Sequence, residues 1–278
     1  MARSAEFSQA YDLFVNLTQR EIKGKYKRTF LGQLWSLANP LALMIVYTFV
    51  FSFIIRVQLP EGNPSGLNIF SIWLLCGLLP WIFFTSVITQ GMNSLIANEA
   101  LIKKVYFPRS VLIYSTVASL LFNWVFEMGV LVVALLIVGD FTVILWLPLV
   151  LVAMALLALF AVGLVLMLSI ANVHFRDTQY FAGIALQLGM YLTPVVYPIT
   201  MVESLSQSVG PFLGGITVLD LYRLNPMYSF INLFRSLLYD NTWPTGGDAL
   251  AVLIWTALSL SLGMLIFKKN EKKLAELL

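Results

Sequence analysis

Residues 143–171 contain no charged side chain, and the run is longer than the ~20 residues a helix needs to cross the ~30 Å hydrocarbon slab of a bilayer. Comparable apolar runs lie at about 37–55, 70–89, 111–138, 180–197 and 249–267. In lipid a spanning segment must satisfy its own backbone amides, so runs of this length are read as helices. Only 11% of the residues are charged and 59% are hydrophobic, whereas a soluble domain averages roughly 25% charged. The expected fold is an all-α polytopic membrane protein with six transmembrane helices. The sequence begins with about 35 residues that hold no short apolar segment, so no cleaved signal peptide is expected.

The basic residues orient these spans. Arg3, Arg20, Lys23, Lys25, Lys27 and Arg28 precede the first run, and Lys103, Lys104 and Arg109 follow the second. Arg176 follows the fourth, and Lys268, Lys269, Lys272 and Lys273 follow the last, which places 14 of 17 basic residues in alternate gaps. Basic segments beside spans stay cytoplasmic. Six spans and this bias both put the two termini on the cytoplasmic side of the membrane. The patches are short and split by spans, so no nucleic-acid surface is expected.

Between the spans, two segments stand out. Phe7, Tyr11, Phe14, Val15 and Ile22 recur at helical spacing ahead of the basic cluster, which predicts an amphipathic helix lying in the headgroup plane over 1–35. Residues 198–248 are too apolar for a free external loop and too broken for two further spans. Asn225-Pro226 is a strong helix start, followed by an apolar face of Met227, Phe230, Ile231, Phe234 and Leu238. Re-entrant external half-helices between spans five and six fit this pattern, a soluble cap being the alternative. The chain thus divides into a cytoplasmic interfacial helix (1–35), spans one to five (37–197), an external gate region (198–248), span six (249–267) and a cytoplasmic tail (268–278), all in one domain.

No catalytic constellation is visible. His174 is the only histidine and Cys76 the only cysteine, which leaves no multi-histidine metal site, no disulfide and no Ser-His-Asp set. The one Gly-Lys pair, Gly24-Lys25, has Gln19 where a phosphate loop would need its first glycine. The chain is therefore not expected to hydrolyse nucleotide. Glu127 is the one carboxylate inside an apolar run. It has either a packing role, with Asn123 as its hydrogen-bond partner, or direct contact with substrate or protons. Aromatic residues, 14% of the chain, form shared faces: Tyr47 with Phe51 on span one, and Tyr180, Gln187 and Tyr191 on span five. Such rings stack on sugar faces, and they serve equally as interface-belt or core residues.

The stretch from Gln19 to Pro40, with Lys103-Lys104-Val105-Tyr106-Phe107-Pro108, Asn172-Val173-His174-Phe175-Arg176-Asp177 and Leu224-Asn225-Pro226-Met227, resembles the permeases of bacterial ABC exporters for polysaccharides. That family serves O-antigen, capsule, teichoic acid and cell-wall galactan. The resemblance runs in order along essentially the whole chain, with 198–224 longer than the pattern. It implies a homodimeric channel for a lipid-linked glycan, with two separate ABC ATPase subunits that bind ATP and Mg, and no cofactor in this chain. It implies a coupling helix at 98–108, where Glu99, Leu101, Ile102, Lys103, Lys104, Tyr106 and Phe107 would meet the ATPase, and a second contact through His174, Phe175, Arg176 and Asp177. Arg20, Lys23, Lys25, Lys27 and Arg28 would face an arriving lipid pyrophosphate, although anionic headgroups of the membrane lipids alone would also suit them. Tyr47, Phe51, Gln187 and Tyr191 would line the channel, and Asn225, Pro226 and Met227 would form its gate. The alternatives are an ABC permease for a drug or small lipid, and an ion-coupled secondary carrier.

Overall fold

The computed structural model describes residues 2–25, 27, 29–30, 32–56, 59, 61–105, 107–139, 141–211 and 215–274, apart from the side chains of residues 2–9, 33, 36, 39 and 272. Arg28, Tyr106 and Asp140 therefore lie outside the described residues, as do the side chains of Arg3, Phe7 and Lys272. The described residues form helices and no strand. In chain order they are α1 (Ala2–Lys25), α2 (Trp35–Thr48) with a π-helical continuation over Phe49–Ile54, α3 (Phe70–Ala97), α4 (Glu99–Lys104), α5 (Ser110–Val138), α6 (Val143–His174) and α7 (Thr178–Tyr191). Three short helices follow, α8 (Ile199–Val209), α9 (Val218–Arg223) and α10 (Pro226–Arg235). A π-helical turn over Ser236–Asp240 extends α10, and α11 (Gly246–Asn270) comes last.

Among the described residues, α3, α5, α6 and α11 are long and apolar enough to cross a membrane. The 32 residues of α6 give about 48 Å of helix at 1.5 Å each. The apolar stretch Pro40–Ile54 and α7 are shorter. Helix α2 starts at Trp35, so Pro40 stands inside it rather than in its first turn and removes one rung of the hydrogen-bond ladder. The fifth apolar run stops at Tyr191 instead of continuing to 197. Pro194 has no donor and biases Thr193 away from helical geometry, and Thr193 to Val196 form a buried turn.

The core is built around α3, which packs against α2, α5, α6, α7 and α10. Short helix α10 enters this core with Phe230 and Phe234 fully buried. Phe230 lies 5.3 Å from Phe160 of α6 between ring centroids, and Phe234 meets Trp124 of α5 edge-on at 5.7 Å. Trp124 in turn stacks on Phe83 of α3 at 4.1 Å. A short apolar helix inside a membrane protein is tolerated when protein surrounds it, and α10 meets that condition. The closest helix contact joins α6 to α11. A Cβ on Gly263 would collide with the backbone of Gly163, and a Cβ on Gly163 with Ser259. Backbones approach this closely only where small residues allow it, and the Ser259 hydroxyl donates across the contact to the Phe160 carbonyl at 2.7 Å.

Helix α1 packs along α5. Leu17 is buried and Ala10, Leu13 and Phe14 pack on the core, while Tyr11 is 59% exposed. The buried stripe is therefore 10, 13, 14 and 17, rotated from the expected one. Leu13 and Leu17 complete the helical period around Phe14 that α5 accepts.

Candidate functional site

The 28 residues of α3 span about 42 Å, and its two ends carry two separate polar clusters. At its C-terminal end lie α4, the end of α6, the last turns of α1 and the tail. Ile102 and Phe107 are buried in the chain's own core and Leu101 packs against it. These three anchor the segment, and Glu99, Lys103 and Lys104 form its solvent side. Lys103 Nζ lies 2.6 Å from Glu99 Oε1, one helical turn away. Hydrogen bonding to Lys103, then its charge, then the more distant charge of Arg176 hold the Glu99 carboxyl below the usual carboxylate range. The 172–177 turn therefore lies beside α4.

In that turn the Asn172 amide donates to Asn93 Oδ1 at 3.0 Å and to the Met92 carbonyl at 3.4 Å, which ties α6 to α3. His174, Phe175, Arg176 and Asp177 are exposed, Phe175 to 73%. Ion pairs among the described residues include Arg20–Glu21 and Lys103–Glu99, whereas Arg176 and Asp177, both exposed, form no such pair with each other. Helix α1 joins the cluster directly: Arg20 Nη2 donates to Asn98 Oδ1 at 2.9 Å, the residue that precedes α4. Lys23, Lys25 and Lys27 are exposed. Glu271 of the tail closes the cluster, accepting the Arg109 backbone N–H at 2.8 Å while its carbonyl takes Arg109 Nη1 at 2.9 Å. The tail thus pins the start of α5.

The opposite end holds the expected gate residues. Asn225 caps α10: its Oδ1 accepts the Met227 N–H at 3.0 Å, and its amide donates to Thr193 Oγ1 at 2.7 Å and to the Leu192 carbonyl at 3.3 Å. Pro226 occupies the first turn and Met227 is buried. The Tyr197 hydroxyl donates to the Tyr191 carbonyl at 2.5 Å and meets the Tyr222 hydroxyl at 3.0 Å. The turn after α7 is in this way knitted to α9 and α10. Arg235 completes the joint, buried at 7% exposure. Its Nη1 and Nη2 donate to the carbonyls of Pro194 and Val195 at 2.6 and 2.7 Å, and its guanidinium sits 3.6 Å from the Trp73 ring centroid. Gly77 makes the room, since a Cβ there would lie 2.9 Å from Nη2. Sequence reasoning left Arg235 among the three basic residues outside the cytoplasmic patches. A lone arginine among apolar residues is itself the signal for such a clamp.

Of the expected channel residues, Tyr47 and Phe51 are half-buried, their ring centroids 6.3 Å apart, and Phe51 stacks on Phe70 of α3. Gln187 and Tyr191 are exposed on α7. Glu127 is buried on α5. Asn123 is not its partner, because that amide donates to the Ser119 carbonyl of its own helix at 3.0 Å.

The ABC-2 type transporter family model matches residues 12–239. An O-antigen export system permease protein RfbA of Klebsiella pneumoniae is 32% identical over 272 residues, 96% of this chain and 95% of its own length. A protein of the same name from Myxococcus xanthus is 30% identical over 98% of this chain and 97% of its own. The polysialic acid transport protein KpsM of Escherichia coli is 23% identical over 91% of each.

Proposed function

The chain belongs to the ABC-2 type transporter family, and from that premise we propose that it is the transmembrane subunit of an ATP-driven exporter of lipid-linked polysaccharide. The observation that carries this reading is the near full-length similarity to O-antigen export permeases, supported by the similarity to a polysialic acid transport protein. In this reading the chain crosses a bacterial cytoplasmic membrane six times with both termini inside, α2 and α7 supplying the two shorter spans. It works as a homodimer with two ATPase subunits. The long exposed apolar faces of α2 and α7, including Ile45, Phe49, Phe181 and Leu188, are suited to a second copy.

ATP and Mg bind the partner ATPase and supply the driving force. This chain's part is to receive and transmit movement. The cluster of α4, the 172–177 turn and the end of α1 is the docking face. There Glu99, Lys103, Lys104, His174, Phe175, Arg176 and Asp177 make the contacts, while Leu101, Ile102 and Phe107 hold the segment on the bundle. Arg20 ties that face to α1, so the basic residues Lys23, Lys25 and Lys27 are carried on a helix linked to the coupling segment. Tyr47, Phe51, Gln187 and Tyr191 line the path of the glycan, and the Asn225–Met227 cap with its ties to 192–193 is the gate. Depleting the chain tests this reading: lipid-linked glycan should accumulate inside the cell. Unchanged export and no accumulation would sink it.

A further inference from the structure

The two faces of α10 are in unlike surroundings. Phe230, Ile231 and Phe234 fill the core, whereas Tyr228, Ser229 and Asn232 line a cavity of about 560 Å³ that also touches Arg223, Thr245 and Asp248. That volume lies within the roughly 300–1,000 Å³ of small-ligand sites. Tyr228 and Ser229 are 8% and 2% exposed, and among the described residues the side chains of Tyr228, Ser229 and Asn232 make no hydrogen bond to protein. Asn232 is half-buried, and none of the three is among the buried polar atoms that lack a partner, so their hydroxyls and amide, at helical positions i, i+1 and i+4, open onto the cavity and are available to a ligand there. A second cavity of about 250 Å³ shares Asn232, Thr245 and Asp248 with the first and reaches Glu61, Arg235 and Asp240. Together they form one elongated polar slot at the loop-rich end of the bundle.

The lining defines the ligand class. Arg223, Tyr228 and Asn232 offer donors, and Asp248 and Asn232 offer acceptors. Asp248 spends one oxygen on the Thr245 hydroxyl and keeps the other. Three carboxylates along the slot disfavour a phosphate, and no group of three His, Cys, Asp or Glu side chains is close enough to hold a metal ion among the described residues. Hydroxyls that donate and accept at once match this mixed wall. We infer that the slot binds a sugar unit of the glycan, at a site separate from the aromatic residues expected to line the channel. The inference rests on the export reading above and adds a recognition site to it.

The test uses the full chain with its ATPase in nanodiscs. The probe is the lipid-free repeat oligosaccharide released by mild acid from the polysaccharide that the same cells export, and saturation-transfer NMR measures binding. Tyr228→Phe removes one hydroxyl and keeps the ring, and Asn232→Ala removes the shared amide. Each should weaken binding by about tenfold or more, the effect of losing about 1.4 kcal/mol, with the Tyr228→Phe melting temperature unchanged as the check on folding. No binding by the unsubstituted chain, or equal binding by chain and variants, overturns the slot. If glycan still accumulates in depleted cells, such a result removes the slot alone and leaves the export reading standing.

Discussion

Arg235 carries the clearest residue-scale consequences. Two of its donors satisfy carbonyls in the turn after α7, and each buried carbonyl left unpaired costs about 1–3 kcal/mol. Arg235→Met should therefore lower the melting temperature of the purified chain by several degrees. Arg235→Lys should not restore it, because an ammonium lacks the fork that spans two carbonyls. A variant as stable as the parent would dismiss the clamp. Arg20 is the opposite case: its partners Glu21 and Asn98 are at the surface, where such contacts contribute under about 1 kcal/mol. Arg20→Ala should leave stability alone and lower export per ATP hydrolysed, read by paired ATPase and export assays. The sequence signals that Arg235 is special but names the partners of neither arginine. Asn225-Pro226 was legible, because a cap acts within its own helix, whereas Arg235 meets partners some 40 residues away.

Among the elements, α4 shows how a short amphipathic helix misleads. Leu101, Ile102 and Phe107 suit a partner's cleft as well as this chain's core, and only the packing reveals which they enter. The Glu99–Lys103 pair on its outer side is intact above the ordinary carboxylate pKa and is lost only as pH falls through the lowered value of Glu99. Coupling through α4 should therefore stay flat across the neutral pH range; a coupling ratio that changes there, and is flattened by Glu99→Gln, would contradict this. The α6–α11 contact gives a sharper expectation. Gly263→Leu must push the two backbones apart, and overpacking of this kind costs about 1–3 kcal/mol or more, visible as lost thermal stability in detergent. The length of α7 was misread for a related reason. Hydropathy continues through Pro194 to Tyr197, but the helix cannot, and only backbone geometry marks the stop.

For the whole molecule, the alternation of basic gaps with gaps nearly free of Lys and Arg is the most legible feature, since it depends on residue order alone. Its consequence is testable with single cysteines, because Cys76 is the only native one and is fully buried. In a Cys76→Ser background, cysteines at Lys104 and Arg176 should resist an impermeant maleimide added outside intact cells, and cysteines at Glu61 and Thr245 should react. The reverse pattern would invert the topology. What the apolar runs could not show is how unequally the helices are joined. Where α6 meets α11, backbone rests on backbone, so the pair behaves mechanically as one stiff beam with no soft layer between its halves. Helix α7 packs on α3 and α6 and is tied at one end by Asn225 and Arg235. On the proposed export reading, a load applied at α4 would be taken up in α7 rather than in the beam beside it.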